Sequence, residues 1–217
     1  MRPWLRPAYQ RVLKLLGRAD PDPDAVLARI DLRGRPIQPI QRAAFDDMVR
    51  AFPYYRGRWG YMSAALAQAA RLIKDHDVRT ALELGAPVAP ILSGAHVMDY
   101  KARPELDPTV EITIQDATQV PWPFADKQFD LFIALQVFEH LKDRQPDAFR
   151  EVRRIARHAV LSLPIDWEMD DPRNCHHMIP EERVLSWFAP VKPTRVIEGS
   201  TGKRRRLIYV FEDLPAT

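Results

Sequence analysis

The sequence is short of cysteine and glycine, has no large charge imbalance and contains no long apolar run, and each shortage excludes a class of protein. A single cysteine, Cys175, among 217 residues rules out an intramolecular disulfide. That usage fits a reducing compartment, so a cytoplasmic location is expected. No stretch approaches the roughly 18 consecutive apolar residues of a membrane span. Arg6, Arg11 and Lys14 interrupt the N-terminal segment where a signal peptide needs an apolar centre. Lys and Arg total 32 against 29 acidic residues, a net charge of +3, which is no electrostatic footprint for nucleic acid. Eight glycines stand against 20 prolines, a ratio that implies stiff connections. Internal repeats and low-complexity tracts are absent from the sequence.

What is present is enough length and apolar content, 46% of residues, for one α/β domain with an elaborated end. The first third is helical in pattern, and the expected division is a helical extension or lid over 1–77 followed by a domain over 78–217. Leu5, Tyr9, Val12, Leu13 and Leu16 recur at helical spacing among Arg2, Arg6, Arg11, Lys14 and Arg18, before Pro21 and Pro23 break the pattern. Such a basic amphipathic helix over residues 1–18 packs on the main domain in the simplest reading; weak contact with an anionic membrane surface is the alternative. Helices are expected at 39–52 and 62–73. The aromatic and basic segment Pro53 to Tyr61 joins them, placed either to close over a ligand or to cap a core.

From Val78 onward, short apolar runs alternate with turn residues and helical spacers, the pattern of a mostly parallel sheet. Strands are expected near 79–84, 95–99, 110–115, 129–135, 158–163, 192–198 and 205–212, with helices near 88–93, 140–156 and 180–189. The short segment Gly199 to Arg204 between the last two strands implies an antiparallel hairpin. The fold class expected is therefore α/β: a Rossmann-like, seven-stranded, mostly parallel sheet ending in an antiparallel hairpin, with an N-terminal helical extension.

Four motifs fall at the ends of successive strands: Glu83-Leu84-Gly85, Asp99, Asp116-Ala117, and the run Phe129 to Leu141 containing Gln136, Glu139 and His140. In this order and spacing they resemble the class I S-adenosylmethionine-dependent methyltransferases, over about residues 78–212. The resemblance implies S-adenosylmethionine as cofactor. It implies that Asp99 accepts hydrogen bonds from the ribose hydroxyls, that Asp116 meets the adenine amino group, and that Ala117 offers backbone contact. Glu83, Gly85 and Gln136 complete the expected cofactor side. The first loop departs from the family's Glu-x-Gly-x-Gly-x-Gly: here only Gly85 remains, followed by Ala86-Pro87-Val88-Ala89-Pro90. Proline fixes φ and removes an N–H donor where glycine lets backbone approach a ligand. The short interval from Glu83 to Asp99 leaves room for a first helix of about two turns, or for a loop in its place.

Methyl transfer from a sulfonium needs an acceptor held in line and a base where the acceptor must lose a proton. The candidates are His140 and Glu139 after the fourth strand, and His176 and His177 after the fifth. Gln136 to His140, together with Asn174-Cys175-His176-His177, partly resembles the Glu-x-x-Glu-His site of metal-assisted O-methyltransferases. Gln136 stands where the first Glu would be, and a neutral amide is a weaker ligand for a hard cation, so no metal is expected. The run Lys203 to Arg206 is read as solvating the start of an exposed edge strand. The acidic loop Asp166, Glu168, Asp170 and Asp171 lies near the expected acceptor entrance. The function expected is methylation, with oxygen preferred over nitrogen, of a small or carbohydrate-like polar acceptor. The alternative is a methyltransferase-like binding or assembly module whose altered loop no longer takes the cofactor.

Overall fold

The structure is a computed structural model that describes residues 22–200 and 204–216. The expected basic helix over residues 1–18 and the tip of the final hairpin lie outside the described residues. Chain order is α1 (Pro23–Arg29), β1 (Gln38–Pro39), α2 (Arg42–Ala51), a 3-10 turn Pro53–Tyr55, α3 (Trp59–Asp75), β2 (Ala81–Leu84), β3 (Leu92–Ser93), β4 (His96–Asp99), β5 (Ile112–Ile114) and β6 (Phe129–Leu135). A 3-10 turn Phe138–His140, α4 (Gln145–Ile155), β7 (Ala156–Pro164), α5 (Glu181–Phe188), β8 (Arg195–Ser200) and β9 (Arg206–Phe211) complete it.

Seven strands form one sheet in the order β5-β4-β2-β6-β7-β9-β8. β5, β4, β2, β6 and β7 pair in parallel, and β9 runs antiparallel to both β7 and β8. The chain thus has the expected Rossmann-like architecture with its C-terminal hairpin. A sheet covered on both faces buries both sets of alternating side chains, so its strands read as continuous apolar runs. In β6, Leu131 and Ile133 join a core built around α3, while Phe132 and Ala134 join the opposite core around α4 and α5. In β9, Ile208 and Val210 go to the first core, and Leu207, Tyr209 and Phe211 to the second. Trp187 and Phe188 are buried in the second core, as expected for the helix that carries them.

α3 is buried along almost its whole length, small residues such as Ala65, Ala67 and Ala69 letting it lie close against the sheet. Its first residue, Trp59, donates from Nε1 to Asp24 Oδ1 at 2.8 Å. This bond pins α1, a helix not anticipated because Pro23 reads as a breaker. Pro23 in fact occupies the first turn, where its missing N–H costs nothing, and Asp22 accepts from Asp24 N as the cap.

Three further expectations are corrected. Residues 88–93 are not helical, because Pro87 and Pro90 each remove an N–H and restrict the residue before them; the segment is a loop ending in β3, which pairs antiparallel with β1. The helix expected over 140–156 begins only at Gln145, after Lys142 (φ 46°) and Asp143 (φ 64°) reverse the chain, with Pro146 in its first turn. Finally, β9 is an interior strand, not an edge, so the basic run at its start cannot serve as an edge guard. Arg206 lies instead with its guanidinium 4.4 Å from the ring centroids of both Tyr61 and Trp167, and Arg205 pairs with Glu198 at 3.3 Å. Among the described residues no helix is long and apolar enough to cross a membrane.

Candidate active site

Parallel strands deliver their C-terminal ends to one edge of the sheet. The chain turns to β4 on one side of β2 and to β6 on the other, and a crevice opens between those crossovers. The crevice here is a cleft of about 670 Å³, within the range of small-molecule sites. Glu83, Gly85, Asp99, Asp116, Ala117, Gln136 and His140 all line it, each carried to the edge by β2, β4, β5 or β6. Tyr54, Tyr55, Arg58 and Tyr61, from the aromatic and basic segment, line it as well.

Glu83 replaces the missing first helix as an organiser of the loop. Its buried Oε2 accepts from the backbone N–H of Ile91 at 2.8 Å and of Leu92 at 3.3 Å, tying the proline-rich loop back to β2. Burial pushes this carboxyl up to about 8, against the two N–H bonds that favour the anion. Gly85 has φ of 80°, and a Cβ there would meet Val137 Cγ2 at 2.9 Å, so both its conformation and its close neighbour call for glycine.

Asp99 ends β4 with its side chain 1% exposed. Arg103 donates to Oδ2 at 2.9 Å and the Lys101 N–H to Oδ1 at 3.3 Å. A carboxylate has about four acceptor positions, so roughly two remain for a ligand's hydroxyls. Asp116 accepts from both the N–H and the hydroxyl of Thr118, each at 2.8 Å and each on Oδ1. Those bonds hold its carboxyl below the ordinary carboxylate range, and Oδ2 takes none of the described bonds. The carbonyl of Ala117 is fixed by the Trp122 indole N–H at 3.2 Å. Gln136 has φ of 58°; its Nε2 donates to Ser162 Oγ at 3.2 Å and its Oε1 accepts from Arg206 Nε at 3.0 Å. With its amide so engaged, Gln136 shapes the cleft through its backbone. Tyr100 and Arg103 also line the cleft and were not anticipated there; both follow β4 directly, and Arg103 pairs with Asp99 four residues back.

Beside the cleft lies a second cluster. His140 Nδ1 is 3.2 Å from Cys175 Sγ, which is 3.4 Å from His176 Nδ1. His176 Nε2 lies 3.5 Å from Oε1 of Glu139. The Glu139 side chain is fully buried, and neither oxygen has a hydrogen-bond partner. Burial lowers the His140 pKa, with the Glu139 charge opposing, which favours the neutral ring. His177 is placed elsewhere: its Nδ1 accepts from Met169 N at 3.2 Å, holding the loop after β7. The acidic residues of that loop do not line the cleft, and Asp171 is engaged with the N–H and Nε of Arg173, each at 3.0 Å.

Residues 92–160 match a family model described as a methyltransferase domain. No curated protein matches the chain. Among solved structures, the N-methyltransferase NodS from Bradyrhizobium japonicum WM9 superposes with a TM-score of 0.50 at 17% identity, over 76% of this chain and 98% of that one. Its complex with S-adenosyl-L-homocysteine also gives a TM-score of 0.50, at 16% identity over 80% and 98%. At these identities the likeness is one of fold.

Proposed function

From the premise that the chain carries a class I S-adenosylmethionine-dependent methyltransferase domain, we propose that it methylates a small or carbohydrate-like polar acceptor, on oxygen in preference to nitrogen. The observation that carries the reading is the cleft itself. Asp99, which keeps acceptor positions open, would take the ribose hydroxyls, Asp116 and Ala117 would meet the adenine, and all three line the cleft with Gly85, whose positive φ turns the chain at the end of β2. These residues would hold the cofactor even with the proline-rich loop, because Glu83 fixes that loop from below.

S-adenosylmethionine, when bound, supplies a methyl group on a sulfonium, open to in-line displacement. The chain's own part is to seat the acceptor and take its proton. His140 lines the cleft as a neutral imidazole, and a neutral imidazole accepts a proton from a hydroxyl as the oxygen attacks. Glu139, buried beside it, stabilises the imidazolium that forms. Tyr54, Tyr55, Arg58 and Tyr61 close the cleft with polar-tipped rings and one guanidinium, suited to hydroxyl groups on the acceptor. Calorimetric titration of the purified protein with S-adenosylmethionine and S-adenosylhomocysteine tests the reading. Saturable binding of both supports it and opens an acceptor screen read by S-adenosylhomocysteine release. Folded protein that binds neither is the binding-module alternative.

A further inference from the structure

The aromatic wall of the cleft carries positive charge that no described carboxylate neutralises. Arg58 lines the cleft, with its guanidinium 3.9 Å from the centroid of the Tyr54 ring. Its Nε donates to the Tyr54 carbonyl at 2.9 Å and its Nη1 to the Tyr61 hydroxyl at 3.4 Å. Tyr61 is shared, because the Arg206 guanidinium lies 4.4 Å from the centroid of that same ring. Arg206 also donates from Nε to Gln136 Oε1 at 3.0 Å, so it backs two residues of the cleft wall. The contacts continue from there: Arg206 lies 4.4 Å from the Trp167 ring, Trp167 stacks on His176 at 5.5 Å, and His176 meets His140 edge-on at 4.9 Å. They run without a break from Arg58 to the imidazole assigned above as the base.

Elsewhere in the cleft, cations answer carboxylates. Arg103 pairs with Asp99 at 2.9 Å, and the Lys142 charge acts on Asp116. The acidic loop after β7 gives the aromatic wall no compensation, because Asp166 faces Arg205 at 4.0 Å, Asp171 pairs with Arg173 at 3.0 Å, and none of its carboxylates lines the cleft. Glu139 is buried and faces His176 at 3.5 Å. Among the described residues, the hydrogen bonds of Arg58 and Arg206 all go to uncharged oxygens, and neither guanidinium is ion-paired. Burial depresses the Arg206 pKa, and the Arg58 and Arg204 charges push the same way, with Tyr61 and Glu139 opposing. A guanidinium presents five N–H donors. After the described bonds, Arg58 keeps both donors on Nη2 and one on Nη1, and Arg206 keeps both on Nη2.

We propose that Arg58 and Arg206 form an oxyanion subsite, so that the methyl acceptor is an anion carrying a carboxylate or phosphate group besides the atom that is methylated. The inference rests on the reading of the cleft as a methyltransferase site, and it narrows the acceptor from polar to anionic. The guanidinium fork matches the oxygens of a carboxylate or phosphate two at a time, and an anion there supplies the counter-charge that the described fold withholds. Tyr54, Tyr61 and Trp167 hold the two guanidinia over their rings, a cation–π arrangement that leaves the N–H edges to a ligand. An acceptor anchored by its charge at Arg58 presents the rest of its length to the cleft that His140 also lines, where a hydroxyl can be held for attack.

Anion binding is measured apart from methyl transfer. The full chain, saturated with S-adenosylhomocysteine, is titrated at constant ionic strength with inorganic phosphate, with acetate and with methyl glucoside as the neutral probe, and the arginine Nε–H signals are followed in ¹⁵N spectra. Saturable shifts of the Arg58 and Arg206 signals are expected with phosphate or acetate and not with methyl glucoside; the tighter of the two anions distinguishes a phosphate from a carboxylate acceptor. Arg58→Gln and Arg206→Gln each weaken that binding at least about tenfold, and Arg206→Lys, which keeps the charge and loses the fork, recovers part of it. Arg150→Gln, which removes an exposed arginine paired with Asp147 on α4, is the control and leaves it unchanged. In the acceptor screen, S-adenosylhomocysteine release is confined to anionic compounds, and Arg58→Gln raises their KM. Folded wild-type protein that takes S-adenosylhomocysteine but neither anion overturns the proposal and leaves the methyltransferase reading standing. Anion binding undiminished in folded Arg58→Gln, equal shifts with methyl glucoside, or turnover of a neutral acceptor overturns it equally. Failure to take S-adenosylhomocysteine is a separate result, which overturns the methyltransferase reading instead.

Discussion

The proposed function gives Asp99 the ribose hydroxyls, and Asp99→Asn isolates its charge with the least change of shape. In the wild type, Arg103 and the Lys101 N–H occupy one acceptor position on each carboxylate oxygen. The amide keeps one oxygen, which Arg103 will hold, and presents an NH₂ donor where the second oxygen stood. A ribose hydroxyl that donated to that oxygen loses its bond, and a hydrogen bond to a charged group contributes about 1.5–3 kcal/mol. The dissociation constant for S-adenosylhomocysteine should therefore rise about 10- to 150-fold, read by calorimetry on both proteins under one buffer condition. The fold should lose little, because Arg103 is itself 17% exposed and retains an acceptor; a melting curve checks this. A folded Asp99→Asn protein with unchanged affinity refutes the placement of ribose at β4, and the assignment of the cleft with it.

Gly85→Ala places a residue with Cβ at φ 80° and 2.9 Å from Val137 Cγ2; a stability loss of about 1–2 kcal/mol and weaker cofactor binding are expected in denaturant titration and calorimetry. Arg154→Ala leaves the buried Glu151 without its guanidinium, strips the Phe124 carbonyl of its donor and leaves the Trp122 carbonyl only the Phe124 N–H, so unfolding free energy should fall by about 3 kcal/mol. Glu83 gives a pH signature: its carboxyl titrates near 8 in the fold and at about 4.3 when unfolded. Between these values the folded state holds the extra proton, and stability falls as pH rises by up to about 1.4 kcal/mol per unit. Glu83→Gln should flatten that slope between pH 5 and 8 in urea titrations, and parallel slopes would show that burial is not setting its ionisation.

The sheet was legible because its physics is local to each strand. The run Phe129–Leu135 is apolar at every position but Asp130, and only a strand covered on both faces requires that. What escaped depended on prolines whose effect is set by position. Pro23 opens α1 because it sits in the first turn, whereas Pro87 and Pro90 forbid a helix where Rossmann spacing asks for one. Strand order was the other blind spot. The run Lys203 to Arg206 reads as an edge guard only if β9 is outermost, and β8 takes that place by folding back across it. Once β9 is internal, Arg206 cannot remain simply solvated, and the rings of Tyr61 and Trp167 flank its guanidinium.

The same distinction separates the two parts of the site. Asp99, Asp116 and Gly85 could be found because a parallel sheet delivers strand ends to one edge, so a residue's place in the strand count already fixes its place in the cleft. The cluster at His140 has no such rule. Cys175 lies 35 residues beyond His140, on a loop whose path is set by Asn174, by the Trp167 stack and by the Met169 bond to His177. Read along the chain, Cys175 is evidence only about the redox compartment. In the fold it stands between two imidazoles, one of which faces the buried Glu139 carboxylate at 3.5 Å, so the sequence could name the residues of this cluster but not their meeting.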